Sequence, residues 1–496
     1  MAALTSEPPE DFTGLRARKR GASRQPPDYE SGLYRTVRYD GRCFLYSGVS
    51  DRIFRLDRAA ADVIDCATTE ELAALEGCSL ADVQAKEGAL AREPEKGLRE
   101  QYARAIESSL QQVVLGVTES CNLRCTYCIY SGSYENVRTH SSARMTWDVA
   151  RRGLDLLFDH CSDSPMPTGV TFYGGEPLLE FPLIERCITY ARERNPAAFF
   201  TLTTNGLLLN KRIRSLLVKH NVFVTVSLDG PAEIHDRYRR TEGDKPSFSV
   251  IWQHLTQLQS EEPDYFAQHV RFSTVLAPPV DQQALANFFN QIGHAVVTSP
   301  LDLHRMSEEW QLRPQTDQFT YLAEQFTSFC RRRRSGENLD PLRDFAVCSF
   351  GPGLRRIQAR GEGLYRDPHR LGQCTVGARK IFVSPSGSLY PCEKVEGGAD
   401  VEIGDVVGGV SVDKVDALMG RFRAIVAERC GGCWMRHMCT ACLMQTVHGG
   451  FFDRDKMNYT CRARREGQAK LLGLYAYLIA EDPEVLDFLP QILPNG

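Results

Sequence analysis

The chain has 496 residues, 42% of them hydrophobic and 25% charged, with a net charge of -4 and a pI near 6.3. That length allows roughly two to four domains with sizeable cores, and the charge balance gives no case for nucleic acid or an anionic membrane as main partner. No apolar run approaches the roughly 20 residues needed to span a bilayer.

Residues 1–31 are polar, rich in Pro, Glu and Arg, and lack an apolar signal region. They read as a disordered lead-in to a cytoplasmic protein. Next, Tyr34–Tyr39, Arg42–Tyr46 and Arg52–Leu56 alternate as strands, with Asp40-Gly41 as a tight turn between the first two. Asp57 reads as the cap of a helix over 58–66. Helices over 68–75 and 79–91 follow, with Thr69 and Ser79 as caps. Three strands and three helices predict a small winged-helix-like unit over 32–95.

From 111 to 310 the chain repeats strand then helix. Strands are expected at 113–118, 169–173, 199–204, 222–228, 270–276 and 296–303, with helices over 146–160, 183–194 and 211–220. Such alternation predicts a parallel sheet or barrel, with the active site at the C-terminal ends of the strands. Residues 311–365 read as a linker with one helix over 318–334, ending in the basic run Arg331–Arg334 as a solvated helix end. A loop-rich, Cys-dense unit over 366–470 and a C-terminal tail over 471–496, with a helix over 466–478, complete the chain.

Cysteine is the informative residue. Three of the seventeen lie in the run Cys121-Asn-Leu-Arg-Cys125-Thr-Tyr-Cys128, and eight lie from Cys348 onward. In a large chain without a secretion signal, such clusters indicate metal rather than disulfides. Three thiolates on one loop can hold three irons of a cubic 4Fe–4S cluster and leave the fourth iron open to a small molecule; an electron-transfer cluster would be closed by a fourth Cys. Structural zinc, the competing reading, wants four ligands.

The loop's spacing resembles the signature of the radical S-adenosylmethionine (radical SAM) enzymes, and three later strand ends extend that resemblance. Tyr173-Gly174-Gly175-Glu176-Pro177 is similar to the family's Gly-Gly-Glu-Pro element, which holds the amino group of SAM. Thr203-Thr204-Asn205-Gly206 and Ser227-Leu228-Asp229-Gly230 place small polar groups on the same rim, and His235-Asp236-Arg237-Tyr238-Arg239 resembles the family's His-Asp-x-x-Arg continuation. The resemblance implies an α/β fold built on a partial (β/α)6 barrel over 111–310. It also implies a cluster on Cys121, Cys125 and Cys128, and SAM contacts from Tyr127, Gly174, Gly175, Glu176, Asn205, Ser227 and Arg239, the last toward the SAM carboxylate. The implied chemistry is one-electron cleavage of SAM to methionine and a 5′-deoxyadenosyl radical, which removes a substrate hydrogen atom. His235 is given no role, and no catalytic base is named.

Downstream, Cys374, Cys392, Cys430, Cys433, Cys439, Cys442 and Cys461 resemble the seven-Cys pattern of the SPASM domain, which carries two auxiliary 4Fe–4S clusters. The resemblance implies Cys430, Cys433, Cys439 and Cys461 on one, and Cys374, Cys392 and Cys442 on the other. The gap before Cys442 is two residues where the family has three. Cys348 is the nearest spare thiol for a fourth ligand. Cys43, Cys66, Cys78, Cys161, Cys187 and Cys330 are expected in cores.

The 32–95 unit has no basic helical stripe suited to DNA. Its layout, with the run Ile53–Val63, resembles the recognition element of enzymes that modify ribosomally made peptides, a module that captures a leader peptide as an added strand. The resemblances together imply an oxidative peptide maturase with a precursor peptide as substrate and a flavodoxin- or ferredoxin-type electron donor. The Cys sulfur-to-carbon thioether reading comes first. Carbon–carbon linkage, sulfatase-type formylglycine formation and a non-enzymatic metal-bound regulator are its alternatives.

Overall fold

The structure is a computed structural model that describes residues 10–12, 32–64, 67–87, 97–134, 137–164, 167–301, 303, 306–311, 317, 319–360, 374–395 and 397–492. Its first strand, β1 (Glu10–Phe12), falls inside the segment expected to be disordered. Strands β2 (Tyr34–Tyr39) and β3 (Arg42–Ser47) form the expected hairpin. Asp40 and Gly41 both take left-handed φ, 47° and 73°, as a two-residue turn of this hand requires.

Strand β4 (Arg52–Leu56) follows, then helices α1 (Arg58–Val63), α2 (Thr69–Leu75) and α3 (Leu80–Glu87). Asp57 caps α1, and its Oδ1 accepts from the Ala60 N–H at 2.7 Å. The cap of α2 is Thr68, one residue before the expected Thr69, because Glu71 three positions on completes a reciprocal capping box with it. Cys66 and the expected end of the third helix at Ala91 lie outside the described residues. The sheet order is β1-β4-β3-β2. Cys43, Leu45, Phe54 and Leu56 pack with Ala60, Ile64 and Leu72 in a core of their own, while Phe44, Tyr46 and Ile53 join the main core.

Helix α4 (Leu98–Ser108), which the sequence reading missed, buries Tyr102 and Ile106 at i, i+4 spacing. The alternating segment then runs β5 (Gln112–Thr118), α5 (Trp147–Asp159), β6 (Gly169–Gly174), α6 (Phe181–Arg194), β7 (Phe199–Thr204), α7 (Lys211–Lys219) and β8 (Phe223–Ser227). It continues with α8 (Ala232–Tyr238), α9 (Phe248–Glu261), α10 (Pro263–His269), β9 (Val270–Leu276), α11 (Gln282–Ile292) and β10 (Val296–Pro300). All neighbouring pairs from β5 to β10 are parallel, in sequence order. This is the layout the β–α periodicity predicts.

Short α12 (Glu308–Gln311) precedes α13 (Phe319–Arg334) and α14 (Phe345–Gln358), so the expected linker is largely helical. The basic end of α13 is not simply solvated: Arg334 pairs with Asp482 at 2.6 Å and Glu484 at 3.1 Å. Strands β11 (Lys380–Val383), β12 (Ser388–Tyr390), β13 (Gly404–Asp405) and β14 (Gly409–Val410) then extend the barrel sheet, with β11 parallel to β5. The Cys-dense segment thus covers the strand edge the barrel would otherwise leave open. Gly116 makes room for it, since a Cβ there would stand 2.7 Å from the Phe382 ring.

Helix α15 (Val412–Arg429), the small hairpin β15 (Val447–His448) and β16 (Phe451–Phe452), and α16 (Arg454–Glu481) complete the fold. α16 begins well before the expected 466, so Cys461 is helical and the expected boundary at 470/471 falls inside one continuous helix. Among the described residues no helix is long and apolar enough to cross a membrane.

Candidate active site and cysteine clusters

The loop after β5 turns tightly, with the Cys128 N–H donating to Cys125 O at 3.0 Å. Its three thiols interact electrostatically, Cys121 with Cys125 and Cys128, and Cys125 with Cys128. Burial pushes Cys121 and Cys125 up to about 11. Both are thiols in the free protein, and binding of a cationic metal must release their protons.

Under the loop lies a buried polar network. Asp229 Oδ2 accepts from Arg239 Nε at 2.8 Å and from the Tyr127 hydroxyl, and its Oδ1 accepts from the Val275 N–H at 3.0 Å. Arg239 also sets Nη1 3.9 Å from Cys125 Sγ and its guanidinium over the Tyr127 ring at 5.3 Å. This changes the expected role of Arg239. Its charge is committed to Asp229 beneath the cysteine loop, because both side chains are shut from solvent and a charge left there without its partner is costly. Tyr127 likewise points its hydroxyl inward.

His235, fully buried, completes the network. The Asp229 N–H donates to its Nδ1 at 3.3 Å, and its Nε2 stands 3.0 Å from Ser247 Oγ, whose own hydrogen goes to Arg239 O at 2.6 Å. That pattern assigns the proton to Nε2. Burial first, then the Arg239 charge, pushes the imidazole from 6.5 down to about 4. Between those values the unfolded chain takes up a proton the folded chain refuses, so stability falls as pH drops through 6.5 toward 4. The full term is about 3 kcal/mol. His235→Gln is expected to flatten the acid side of a plot of denaturation midpoint against pH; an unchanged slope would refute this.

On the rim, Gly174 takes φ +140°, and a Cβ there would stand 2.2 Å from Thr118 O; a Cβ on Gly175 would stand 2.2 Å from Ser120 O. Both positions need glycine so that β6 can pass against the backbone entering the cysteine loop. Glu176 is buried and accepts from the Leu178 N–H, Thr204 Oγ1 and the Asn205 N–H at 3.1, 2.7 and 2.7 Å. Three of its roughly four acceptor positions are thus filled by the protein itself. Burial raises its carboxyl to about 7. Asn205 Nδ2 bonds Asn122 Oδ1 at 2.7 Å and lies 3.9 Å from Cys121 Sγ. Ser227 ends β8 on the same rim, half-buried.

The C-terminal thiols fall into two groups. Cys430 feels Cys439, Cys433 and Cys461, and burial with this mutual repulsion pushes Cys439 up to about 12. Cys442 feels Cys374, and Cys392 feels Cys442. Cys348 joins neither group. It sits in α14 against β10, with its Sγ donating to Leu342 O at 3.3 Å, whereas Cys392 follows β12 near the other end of the ten-stranded sheet. Its expectation as a fourth ligand is therefore withdrawn. Cys187 and Cys330 are buried as expected; Cys78 and Cys161 are only half-buried.

A local pattern recurs at six of the clustered cysteines. Cys121, Cys128, Cys392, Cys433, Cys439 and Cys442 each receive a bond from the backbone N–H two residues on. Such donors favour a thiolate, and hydrogen bonds to sulfur are a lever on iron–sulfur clusters. Cys161 and Cys348 also donate their S–H to carbonyls. The three neighbouring thiols of Cys121, Cys125 and Cys128 are of the donor type that iron–sulfur clusters take.

Register places these groups. Lys380 of β11 stands beside Gln112 at the start of β5, and Cys392 lies just past β12 at that same end. The Cys121 loop follows the other end of β5, about 20 Å away at 3.3 Å per residue. Between them the barrel interior is lined by half-buried Gln112, Thr171, Thr201, Thr203 and Thr225, with Gln112 Nε2 bonded to Thr171 Oγ1 and Thr171 to Thr201, each at 2.6 Å.

Residues 115–259 match the family model described as the Radical SAM superfamily. The barrel is a radical SAM domain. Such a domain takes SAM and a 4Fe–4S cluster. The chain is 29% identical over 161 residues to a cysteine-type anaerobic sulfatase-maturating enzyme of Clostridium novyi, covering 32% of this chain and 42% of that protein. It is 30% identical over 200 residues to the serine-type enzyme of Bacteroides thetaiotaomicron, covering 39% and 46%. A radical SAM cyclopropyl synthase, TigE of Paramaledivibacter caminithermalis, is 29% identical over 143 residues, covering 27% and 30%. The matches thus span less than half the length of these relatives. Among solved structures, anSMEcpe with bound AdoMet superposes with a TM-score of 0.58 at 19% identity, covering 77% of this chain and all of that one, a likeness of fold.

Proposed function

We propose that this protein is a radical SAM peptide maturase that oxidatively cross-links a ribosomally made precursor, joining a Cys sulfur to a carbon. The observation that carries the reading is the placement of thiols at opposite ends of one polar-lined barrel: the three-Cys loop on the rim, and Cys392, which interacts with Cys442, at the strand starts. When bound, SAM and its cluster would supply a 5′-deoxyadenosyl radical, and auxiliary clusters on the two C-terminal groups would accept the surplus electron. The chain's own residues do the rest. Gly174 and Gly175 let the SAM-binding rim approach the loop, Asp229 and Arg239 hold Cys125 in place, and the hydroxyl-lined lumen orients the substrate residue while excluding water.

The boundaries proposed are a peptide-binding unit over 32–95, the barrel over 111–310 and a SPASM-type unit from 366 that includes α16. A flavodoxin- or ferredoxin-type donor would reduce the rim cluster. Formylglycine formation is a second reading, favoured by the sulfatase-maturating relatives; the N-terminal sheet, which that reaction has no need of, weighs against it. Anaerobic reconstitution with iron and sulfide, then SAM with dithionite, is expected to release 5′-deoxyadenosine. Coexpression with the precursor is expected to give a mass loss of two hydrogens per link. Zinc in anaerobically purified protein, or intact SAM under strong reductant, would overturn the proposal.

A further inference from the structure

The N-terminal sheet contains a strand that peptide capture by itself does not explain. In the order β1-β4-β3-β2, β4 would be an open edge without β1. The other side, at β2, is closed by α16: the Tyr39 and Tyr477 rings lie 5.2 Å apart, and a Cβ on Gly473 would stand 3.3 Å from Arg38 O. Helices α1–α3 cover one face, and Trp434 packs edge-on against Tyr46 on the other, 6.1 Å between centroids. Among the described residues, β4 is thus the side of this sheet where an extended segment can add. The chain's own residues already add there, in parallel, with Glu10 at the register of Phe54, Asp11 at Arg55 and Phe12 at Leu56.

We propose that Glu10–Phe12 is a built-in stand-in for the captured peptide, so that β4 takes an extended acid–acid–aromatic segment and the cis strand must leave before a peptide binds in trans. The inference rests on the peptide-modifying reading above. Three physical points carry it. The cis strand pairs three residues against the five of β4, so a longer incoming strand makes more backbone hydrogen bonds and displaces it. In register, the acidic Asp11 of the cis sequence stands at the exposed Arg55, the combination of residue types that cross-strand pairing favours. The strand belongs to the same chain as β4, which holds it at a high effective concentration and makes it an efficient competitor in spite of its length.

The test uses a fluorescein-labelled peptide with the sequence of residues 8–15, titrated without SAM or reductant into the full chain and into a chain lacking residues 1–13. With the cis strand docked nine-tenths of the time, the truncated chain should bind about tenfold more tightly. Asp11→Pro in the full chain, which removes a strand N–H, should reproduce the truncation and covers the case in which the truncated protein misfolds. Arg55→Glu in the truncated chain should weaken the peptide and bind its Asp11→Lys version better. Amide exchange at residues 52–56 should quicken on truncation and slow again when peptide is added. Equal affinity for full and truncated chains, or exchange at β4 untouched by either change, overturns the inference. Since the assay needs no SAM, competition seen in a protein that modifies no peptide would sink the maturase reading alone. A modified precursor with no competition would sink this inference alone.

Discussion

Asp229→Ala is expected to destabilise the protein by about 3–5 kcal/mol, because it leaves the Arg239 guanidinium buried without its counter-charge. The side chains of the pair are 1% and 9% exposed, so water cannot replace the lost carboxylate. The same substitution strips the Tyr127 hydroxyl and the Val275 N–H of their acceptor. Chemical denaturation of the two proteins side by side measures the loss. The double variant Asp229→Leu, Arg239→Met is expected to recover only part of the stability, since it removes both charges but leaves the Tyr127 hydroxyl and Val275 N–H without an acceptor, and not the iron-binding behaviour that depends on Arg239 beside Cys125. A single variant within 1 kcal/mol of the parent would show that the pair does not hold the loop.

Gly175→Ala has the second large effect, on activity. Its Cβ would lie 2.2 Å from Ser120 O and 2.6 Å from Ser120 C, backbone atoms one residue before Cys121. Neither is the end of a flexible side chain, so the strand or the loop must shift. A displacement approaching 1 Å at the reacting centre costs about 100-fold in rate, and 5′-deoxyadenosine release is expected to fall by at least that much. Overpacking of this kind costs about 1–3 kcal/mol in stability, so the chain should still fold. Gly467→Ala is the control: nothing lies within 4 Å of a Cβ there, and its release rate should match the parent's. Parental activity in Gly175→Ala would show that the rim does not need the close approach.

The sequence by itself determined what depends on local pattern. Period-two and period-3.6 alternation placed the six barrel strands and α5, α6 and α7, while α8–α11 between the last three strands went unread. The Cys121–Cys128 spacing and the glycines at 174 and 175 marked the rim, because tight turns and close backbone approach demand particular residues at particular offsets. The grouping of the C-terminal thiols came from the family resemblance and not from their spacing alone.

Only the tertiary structure decided which partner each buried charge would take. Arg239 and Tyr127 read as cofactor contacts because their motif sits near the rim, but both turn inward to Asp229, a pairing set by burial and invisible in the order of residues. Cys348 looked like a spare ligand because it is near in sequence, and the sheet order then carried it away from Cys392. Glu10–Phe12 read as part of a polar lead-in because three residues have no periodicity to detect. What makes them a strand is an unfilled edge on β4, some forty residues further along the chain, and the hydrogen bonds that edge leaves open.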